Sequence, residues 1–174
     1  MKHRSWKVAM ATLTAIAFFE STAWAADRVS GLITRTYVIV EDTELVGDVT
    51  CDVGSSACFS FGASNVELRL NGFTITGKAD AVTGCGGATF AAETGITTNR
   101  SNNVQVRGPG LVQRFRGFGV RVEGSSNARI VLLTVSTNCA SGIFVPANSF
   151  GTLVEGNIAV RNGSSAPGFP CGGI

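Results

Sequence analysis

Two series of short apolar strings recur every 23 to 24 residues, and this repeat constrains the fold more than any other feature of the chain. The glycine-led strings are "GITT", "GVRV" and "GIFV", which begin at Gly95, Gly119 and Gly142. The second series is "NNVQV", "SNARI" and "FGTLV", which begins at Asn102, Ser126 and Phe150. Apolar positions alternate within the strings, which is the period of a strand with one buried face. Strands at this spacing, without a helical period between them, predict a solenoid of β-coils.

In such a solenoid each coil contains about three short strands and advances by roughly 4.8 Å, so that equivalent strands pair in parallel. The alignment predicts columns of inward aliphatic side chains, namely Ile96 with Val120 and Ile143, Val122 with Val145, Val104 with Ala128 and Thr152, and Val106 with Ile130 and Val154. Asn65, Asn103 and Asn127 align at the turn before the second strand, and Gly151 interrupts this series. An antiparallel β-sandwich is the alternative fold, but its strands need not repeat so regularly.

The glycine-led and asparagine-led strings resemble those of right-handed parallel β-helix proteins, the pectate-lyase-like or pectin-lyase-like superfamily, over about residues 45–174. The resemblance implies an all-β, right-handed parallel β-helix, an asparagine ladder at one turn, and a ligand groove along one parallel sheet. The outward positions of the glycine-led strand are Thr97, Arg121 and Phe144. These three residues are therefore the expected binding residues, with Arg121 suited to an acidic sugar and Phe144 to stacking on a sugar ring.

The first 25 residues have the pattern of a secretion signal. Basic residues precede an apolar run, and the "AWA" that ends at Ala25 fits the small-x-small rule for cleavage after that residue. A membrane anchor is the alternative, which Glu20 and the short apolar run disfavour. We therefore expect a secreted or periplasmic mature chain that has no membrane span.

The mature chain is predicted to have an irregular N-terminal cap over residues 26–63 and coils over residues 64–174, with an insert at about 78–94. The final "PCGGI" resembles the start of another glycine-led strand, with Ile174 at the position of Ile143. The last coil is thus expected to be incomplete. An uncovered coil leaves unpaired strand edges, so self-association through this end is expected.

Composition restricts the chemistry that the mature chain can perform. Cleavage removes the single histidine, His3, which excludes Ser-His-Asp catalysis and a histidine-ligated metal. It leaves 11 basic and 11 acidic residues, so the mature chain has no excess positive charge that would favour a nucleic-acid partner. From Gly95 onward the only acids are Glu123 and Glu155. Neither a calcium cluster nor the carboxylate pair of a glycosidase is expected there, and no cofactor is predicted.

Five cysteines, Cys51, Cys58, Cys85, Cys139 and Cys171, remain in the mature chain. In an exported protein they are candidates for disulfides. Cys51 and Cys58 enclose a short loop and are predicted to pair. Cys139 is predicted to pair with either Cys171 or Cys85.

These observations predict a binding or structural module that does not catalyse a reaction, with a polysaccharide or a surface ligand as its partner. The alternative is a fragment of a polysaccharide lyase or glycoside hydrolase that acts on acidic polysaccharide. The lack of histidine, and of aspartate in the regular coils, favours the module.

Overall fold

The computed structural model describes residues 25–78, 85, 93–163 and 173–174, and this part of the chain consists of short strands and turns without a helix. Nothing in the described ranges is a helix long and apolar enough to cross a membrane. Residues 1–24 of the predicted leader lie outside the described part. The strands, in chain order, are β1 (Asp27–Ile33), β2 (Tyr37–Ile39), β3 (Thr43–Cys51), β4 (Ala57–Phe61), β5 (Glu67–Arg69), β6 (Thr74–Thr76), β7 (Thr94–Thr97), β8 (Gln105–Arg107), β9 (Leu111–Gln113), β10 (Val120–Arg121), β11 (Arg129–Val131), β12 (Thr134–Ser136), β13 (Ile143–Phe144), β14 (Leu153–Glu155) and β15 (Ile158–Val160).

The strands pair in parallel and form three rows, which confirms the prediction of an all-β fold with parallel strands. The first row is β5, β8, β11 and β14; the second is β6, β9, β12 and β15; and the third is β2, β4, β7, β10 and β13. The long strand β3 begins the first two rows, because its start pairs with β5 and its end with β6. Strand β1 pairs along β3. The chain therefore visits the third, first and second rows in turn.

We call a coil a stretch of chain that contributes one strand to each row. Inward side chains of successive coils pair with one another in the rows, as the repeat predicts. Val120 pairs with Ile96 on one side and with Ile143 on the other. In the first row, Ile130 pairs in the same way with Val106 and Val154. All of these side chains are fully buried except Val154, which is half-buried. Their burial stabilises the folded state by about 25 cal/mol for each Å² of apolar surface removed from water.

A glycine lies within β7, at Gly95, and directly before β10 and β13, at Gly119 and Gly142, because the adjacent coil leaves no room for a side chain at these positions. A Cβ atom at Gly119 would lie 2.3 Å from Val135 Cγ1 and 2.7 Å from the carbonyl oxygen of Gly142. A Cβ at Gly142 would lie 2.8 Å from the carbonyl oxygen of Gly173. The glycines of the repeat thus allow the close approach of coils at this corner.

In the N-terminal segment, where an irregular cap over residues 26–63 is predicted, strands β1 to β4 pair with the strands of the later coils. Tyr37 pairs with Phe59, 22 residues later, and Phe59 pairs with Ile96, 37 residues later. The insert that starts near residue 78 lengthens this second coil and hides the period in the sequence. Phenylalanines at 59 and 61, both fully buried, replace the aliphatic residues of the later coils.

The predicted asparagine ladder is present at the turn that leads into the first row. Asn103 donates a hydrogen bond from Nδ2 to Asn65 Oδ1 (3.0 Å), and Asn127 donates one to Asn103 Oδ1 (3.1 Å). All three residues adopt a left-handed backbone with φ between 53° and 63°. Gly151 continues this conformation, with φ 62°, but supplies no amide, so the ladder ends at Asn127. Asparagine suits the position because it tolerates this backbone and bonds across the coils.

A second amide pair, which the sequence did not single out, lies after the second row. Asn138 is buried, and its Nδ2 donates to Asn162 Oδ1 at 2.9 Å. Asn138 Oδ1 accepts a hydrogen bond from the backbone N–H of Phe115, and Asn162 Nδ2 donates to the carbonyl oxygen of Val135. These amides satisfy backbone groups at the corner where the chain leaves the second row, and so keep buried polar atoms paired.

The described residues contain two disulfides, one that closes a short loop and one between distant parts of the chain. Cys51 pairs with Cys58, as predicted, and Cys85 pairs with Cys139, one of the two predicted alternatives. The other alternative, Cys171, lies outside the described residues. Two disulfides among the described residues favour an oxidising environment over a reducing one.

The segment at Gly173 has the register that the sequence predicts. The N–H of Ile143 donates to the carbonyl oxygen of Gly173 at 3.1 Å. The N–H of Val120 likewise donates to the carbonyl oxygen of Gly142, at 2.8 Å. Gly173 is therefore equivalent to Gly142, and Ile174 is in register with Ile143. Self-association through this end of the rows stays a prediction.

We expect Tyr37, the only tyrosine of the chain, to titrate at unusually high pH. Burial, together with a hydrogen bond to the carboxylate of Asp27 and its negative charge, raises the pKa of Tyr37 to about 12. The folded state therefore holds this proton more tightly than the unfolded state. Its contribution to stability is present below pH 10 and is lost between about pH 10 and 12, and solvent screening reduces it because the ring is partly exposed.

Tyrosinate absorbance after a rapid pH jump measures the pKa of Tyr37 in the folded protein. The same measurement on the protein unfolded in urea gives the unshifted pKa for comparison. Tyr37→Phe is expected to remove both the signal and the associated loss of stability at alkaline pH. A midpoint near pH 10 in the folded protein would contradict the prediction.

The asparagine ladder gives a second prediction, which separates its backbone and amide contributions. Asn103→Ala removes two hydrogen bonds and places alanine in a left-handed backbone, so we expect a loss of about 2–3 kcal/mol in the free energy of unfolding. Asn103→Gly keeps the backbone tolerance and should lose roughly 1 kcal/mol less. Urea unfolding monitored by circular dichroism measures both variants, and equal losses in the two would show that the left-handed backbone adds nothing.

Candidate functional site

The three residues that the sequence predicts for binding lie side by side on the outward face of the third row. Arg121 pairs with Thr97 in the preceding coil and with Phe144 in the following coil. Ser60, which is only 9% exposed, and Val38, which is 52% exposed, continue the same column toward β2. The parallel register therefore creates a strip that crosses five coils, with an alcohol, a guanidinium and a phenyl ring as consecutive steps.

An aromatic and charged cluster, formed by Phe118, Arg121, Glu123 and Phe144, occupies one end of this strip. The rings of Phe118 and Phe144 stack with centroids 4.7 Å apart and an interplanar angle of 17°. The guanidinium carbon of Arg121 lies 5.8 Å from the centroid of the Phe118 ring. Arg121 Nη2 is 3.2 Å from Glu123 Oε1. Each member is partly exposed, so the cluster forms a surface of flat apolar rings beside an ion pair.

Two polar atoms next to the cluster lack hydrogen-bond partners within the described part of the chain. They are Thr97 Oγ1 and Arg121 Nε, and both are shielded from solvent. An unpaired polar atom in such a position costs on the order of 1–3 kcal/mol.

Phe118 and Glu123 were not among the residues predicted from the sequence. The corresponding residues before the glycine in neighbouring coils are Thr94 and Ser141, so an aromatic residue at this position is specific to one coil. That difference in "RGFGVRV" is the sequence signal for Phe118. Glu123 lies beyond the end of β10, where the repeat alone does not predict the direction of a side chain.

Most of the carboxylates in the N-terminal half of the described chain lie at turns or in ion pairs. The most buried is Glu93, whose side chain is 4% exposed. Glu93 Oε1 accepts a hydrogen bond from the backbone N–H of Lys78, and Oε2 is 4.0 Å from Arg116 Nε. Lys78 Nζ in turn is 2.5 Å from Asp52 Oδ2. These four residues surround a recess of about 180 Å³ and neutralise one another, which is the pattern of a structural charge cluster.

No group of three or more histidine, cysteine, aspartate or glutamate side chains that would hold a metal ion occurs among the described residues. Comparisons with protein-family models, with characterised proteins and with solved structures find no match for this chain. The site must therefore be interpreted from its own chemistry.

Proposed function

We propose that the chain is an exported right-handed parallel β-helix of the pectate-lyase-like type, and that it binds a polysaccharide without acting on it. The proposal of a β-helix is supported by the three parallel rows, which the chain visits in a fixed order. Connections between parallel strands of one sheet are right-handed in about 98% of cases, which favours the right-handed form. Export is supported by the leader-like pattern of residues 1–25 and by the two disulfides.

The observation that carries the binding function is the stacked pair of Phe118 and Phe144 beside Arg121. Exposed aromatic rings present a flat apolar surface, which complements the C–H face of a sugar ring. The guanidinium of Arg121 offers several fixed donors at the edge of that surface, which suit hydroxyl or carboxylate oxygens. One group of neighbouring side chains thus combines the apolar and polar contacts that a sugar requires.

The strip beyond the cluster favours an extended ligand over a single sugar. Thr97, Ser60 and Val38 continue from Arg121 at the spacing of the coils, roughly 4.8 Å for each step. Their backbone is fixed by the pairing of the rows, so the surface is preorganised and little entropy is lost when a linear chain binds along it.

Binding without catalysis is supported by the carboxylates near the cluster. Glycoside hydrolysis generally requires two carboxyl groups on either side of the scissile bond. Within the described ranges, Glu123 is the one acid among the residues of the cluster, and it is paired with Arg121. The cluster can therefore contact a sugar, but its described residues do not include the two carboxyl groups that glycoside hydrolysis requires.

A panel of immobilised polysaccharides, followed by calorimetry with oligosaccharides of any that bind, tests the proposal on the exported, processed protein. We expect Phe144→Ala to weaken binding about tenfold, because loss of an aromatic contact costs roughly 1–2 kcal/mol. Phe150→Ala is the matched control, since Phe150 is 66% exposed and lies outside the cluster. Equal effects of the two substitutions, or no binding to any polysaccharide, would refute the proposed site.

Assays on polygalacturonate and alginate, with and without calcium, distinguish binding from catalysis. We expect no product from either substrate. If product forms and Arg121→Ala abolishes it, the chain is a polysaccharide lyase or hydrolase, and the binding proposal is replaced by the enzymatic alternative.

A further inference from the structure

A second concave surface, which the sequence did not predict, lies on the outward side of the first row. It is a groove of about 460 Å³ between strands β8, β11 and β14 and the turns that follow them. Its lining, which we call the arginine groove, comprises Gln105, Arg107, Arg129, Val131, Leu132, Glu155 and Gly156. The volume is within the range of about 300–1,000 Å³ that is usual for ligand sites. The groove is on a different row from the aromatic cluster, so the two surfaces are separate.

Arginine side chains in the groove are incompletely neutralised by the protein. Arg107 Nη1 is 3.9 Å from Glu67 Oε1, but the other oxygen of Glu67 is 3.6 Å from Arg69, and Gln105 also donates to Oε1. One carboxylate is therefore shared by two guanidinium groups. Arg129, which pairs with Gln105 in the register of the row, is exposed and has no ion-pair partner within 4.0 Å among the described residues.

The opposite part of the groove is apolar and is held in an unusual backbone conformation. Leu132 is 53% exposed and has φ 59°, a left-handed conformation that is rare for a leucine. Its N–H donates to the carbonyl oxygen of Glu155, which fixes the turn in place. At Gly156 a Cβ atom would lie 2.9 Å from Leu132 Cδ2, so glycine leaves the space beside the leucine open. The next coil places Gly156 at the equivalent position with φ 64°, so this conformation belongs to the turn of the repeat, and what distinguishes Leu132 is its exposed apolar side chain.

These observations together indicate the chemistry of a ligand. Two guanidinium groups and a carboxamide suit an oxyanion with several acceptor oxygens, because arginine binds carboxylate and sulfate through paired N–H donors. The exposed Leu132 and the half-buried Val131 suit an apolar ring face. An acidic sugar residue has both kinds of surface, whereas a nucleic acid would need more positive charge than the mature chain, with 11 basic and 11 acidic residues, provides.

We propose that the arginine groove binds the carboxylate or sulfate group of an acidic glycan, at a site separate from the aromatic cluster. This inference rests on the proposed polysaccharide-binding function, to which it adds the charge of the ligand and a second contact surface. A glycan that reaches both rows would be held by stacking on one face and by ion pairing on the other, and the two contributions would reinforce each other through effective concentration.

Calorimetric titration of the exported, processed protein with three oligosaccharides of equal length tests the inference. The probes are oligogalacturonate for carboxylate, a heparin-derived fragment for sulfate and a malto-oligosaccharide as the neutral reference. We expect at least one acidic probe to bind more tightly than the neutral one, and its affinity to fall as salt is added. Whichever acidic probe binds identifies the anionic group. Equal affinity for acidic and neutral probes would overturn the inference.

Substitutions locate the binding of the acidic probe. Arg107→Gln with Arg129→Gln is expected to weaken it at least tenfold, whereas Arg35→Gln, which removes an exposed arginine between β1 and β2, should leave it unchanged. Glu155→Gln removes the one acid that lines the groove, and should strengthen binding about two- to fivefold. This gain of affinity keeps the test decisive even if the arginine variants fold poorly.

The failures of the two proposals are distinguishable. If Phe144→Ala abolishes polysaccharide binding and the arginine variants have no effect, the proposed function stands and the arginine groove is not a ligand site. If Glu155→Gln leaves the affinity of a soluble acidic probe unchanged while Phe144→Ala lowers it, the inference is likewise overturned.

Discussion

The backbone hydrogen bonds between successive coils are the constraint on which the rest of the structure depends. The N–H of Val120, for example, donates to the carbonyl oxygen of Gly142, and Ile96 has the same relation to Gly119. Such bonds fix the register of each row. Because side chains alternate in direction along a strand, a slip of one residue would place Arg121 in the core and Val120 in solvent. Register therefore determines both the hydrophobic interior and the composition of the outward surface.

The same register restricts which residues can occupy the corners. Gly119 must lack a side chain because the next coil approaches closely, and Asn103 combines a left-handed backbone with an amide that bonds to both neighbouring coils. At the other corner, Asn138 and Asn162 satisfy buried backbone groups. The many glycines and asparagines of the chain are thus required by the stacking of coils, and this leaves the outward strand positions free to vary.

The two candidate surfaces are consequences of that freedom. On the third row, one coil contributes Phe118 and Arg121, and the next contributes Phe144, so an aromatic and charged cluster forms where two coils meet. On the first row, Arg107 shares the carboxylate of Glu67 with Arg69, and Arg129, one coil further on, has no ion-pair partner among the described residues. In each case the surface is assembled from residues that are distant in sequence and only one coil apart in space. A rigid row therefore supplies the preorganisation that a loop would have to gain on binding.

The sequence by itself determined the period, the alternation of inward and outward positions, the columns headed by Ile96 and Val106, and the asparagine ladder. These features follow from local spacing, because residues one period apart must stack when strands pair in parallel. Only the tertiary structure decided that β1 to β4 join the same rows, since the longer coil that contains the insert masks their period. It also decided that Phe118 stacks on Phe144 and that Glu67 is shared by two arginines. Such contacts depend on side-chain directions at the turns and on neighbours across coils, which a repeat pattern does not encode.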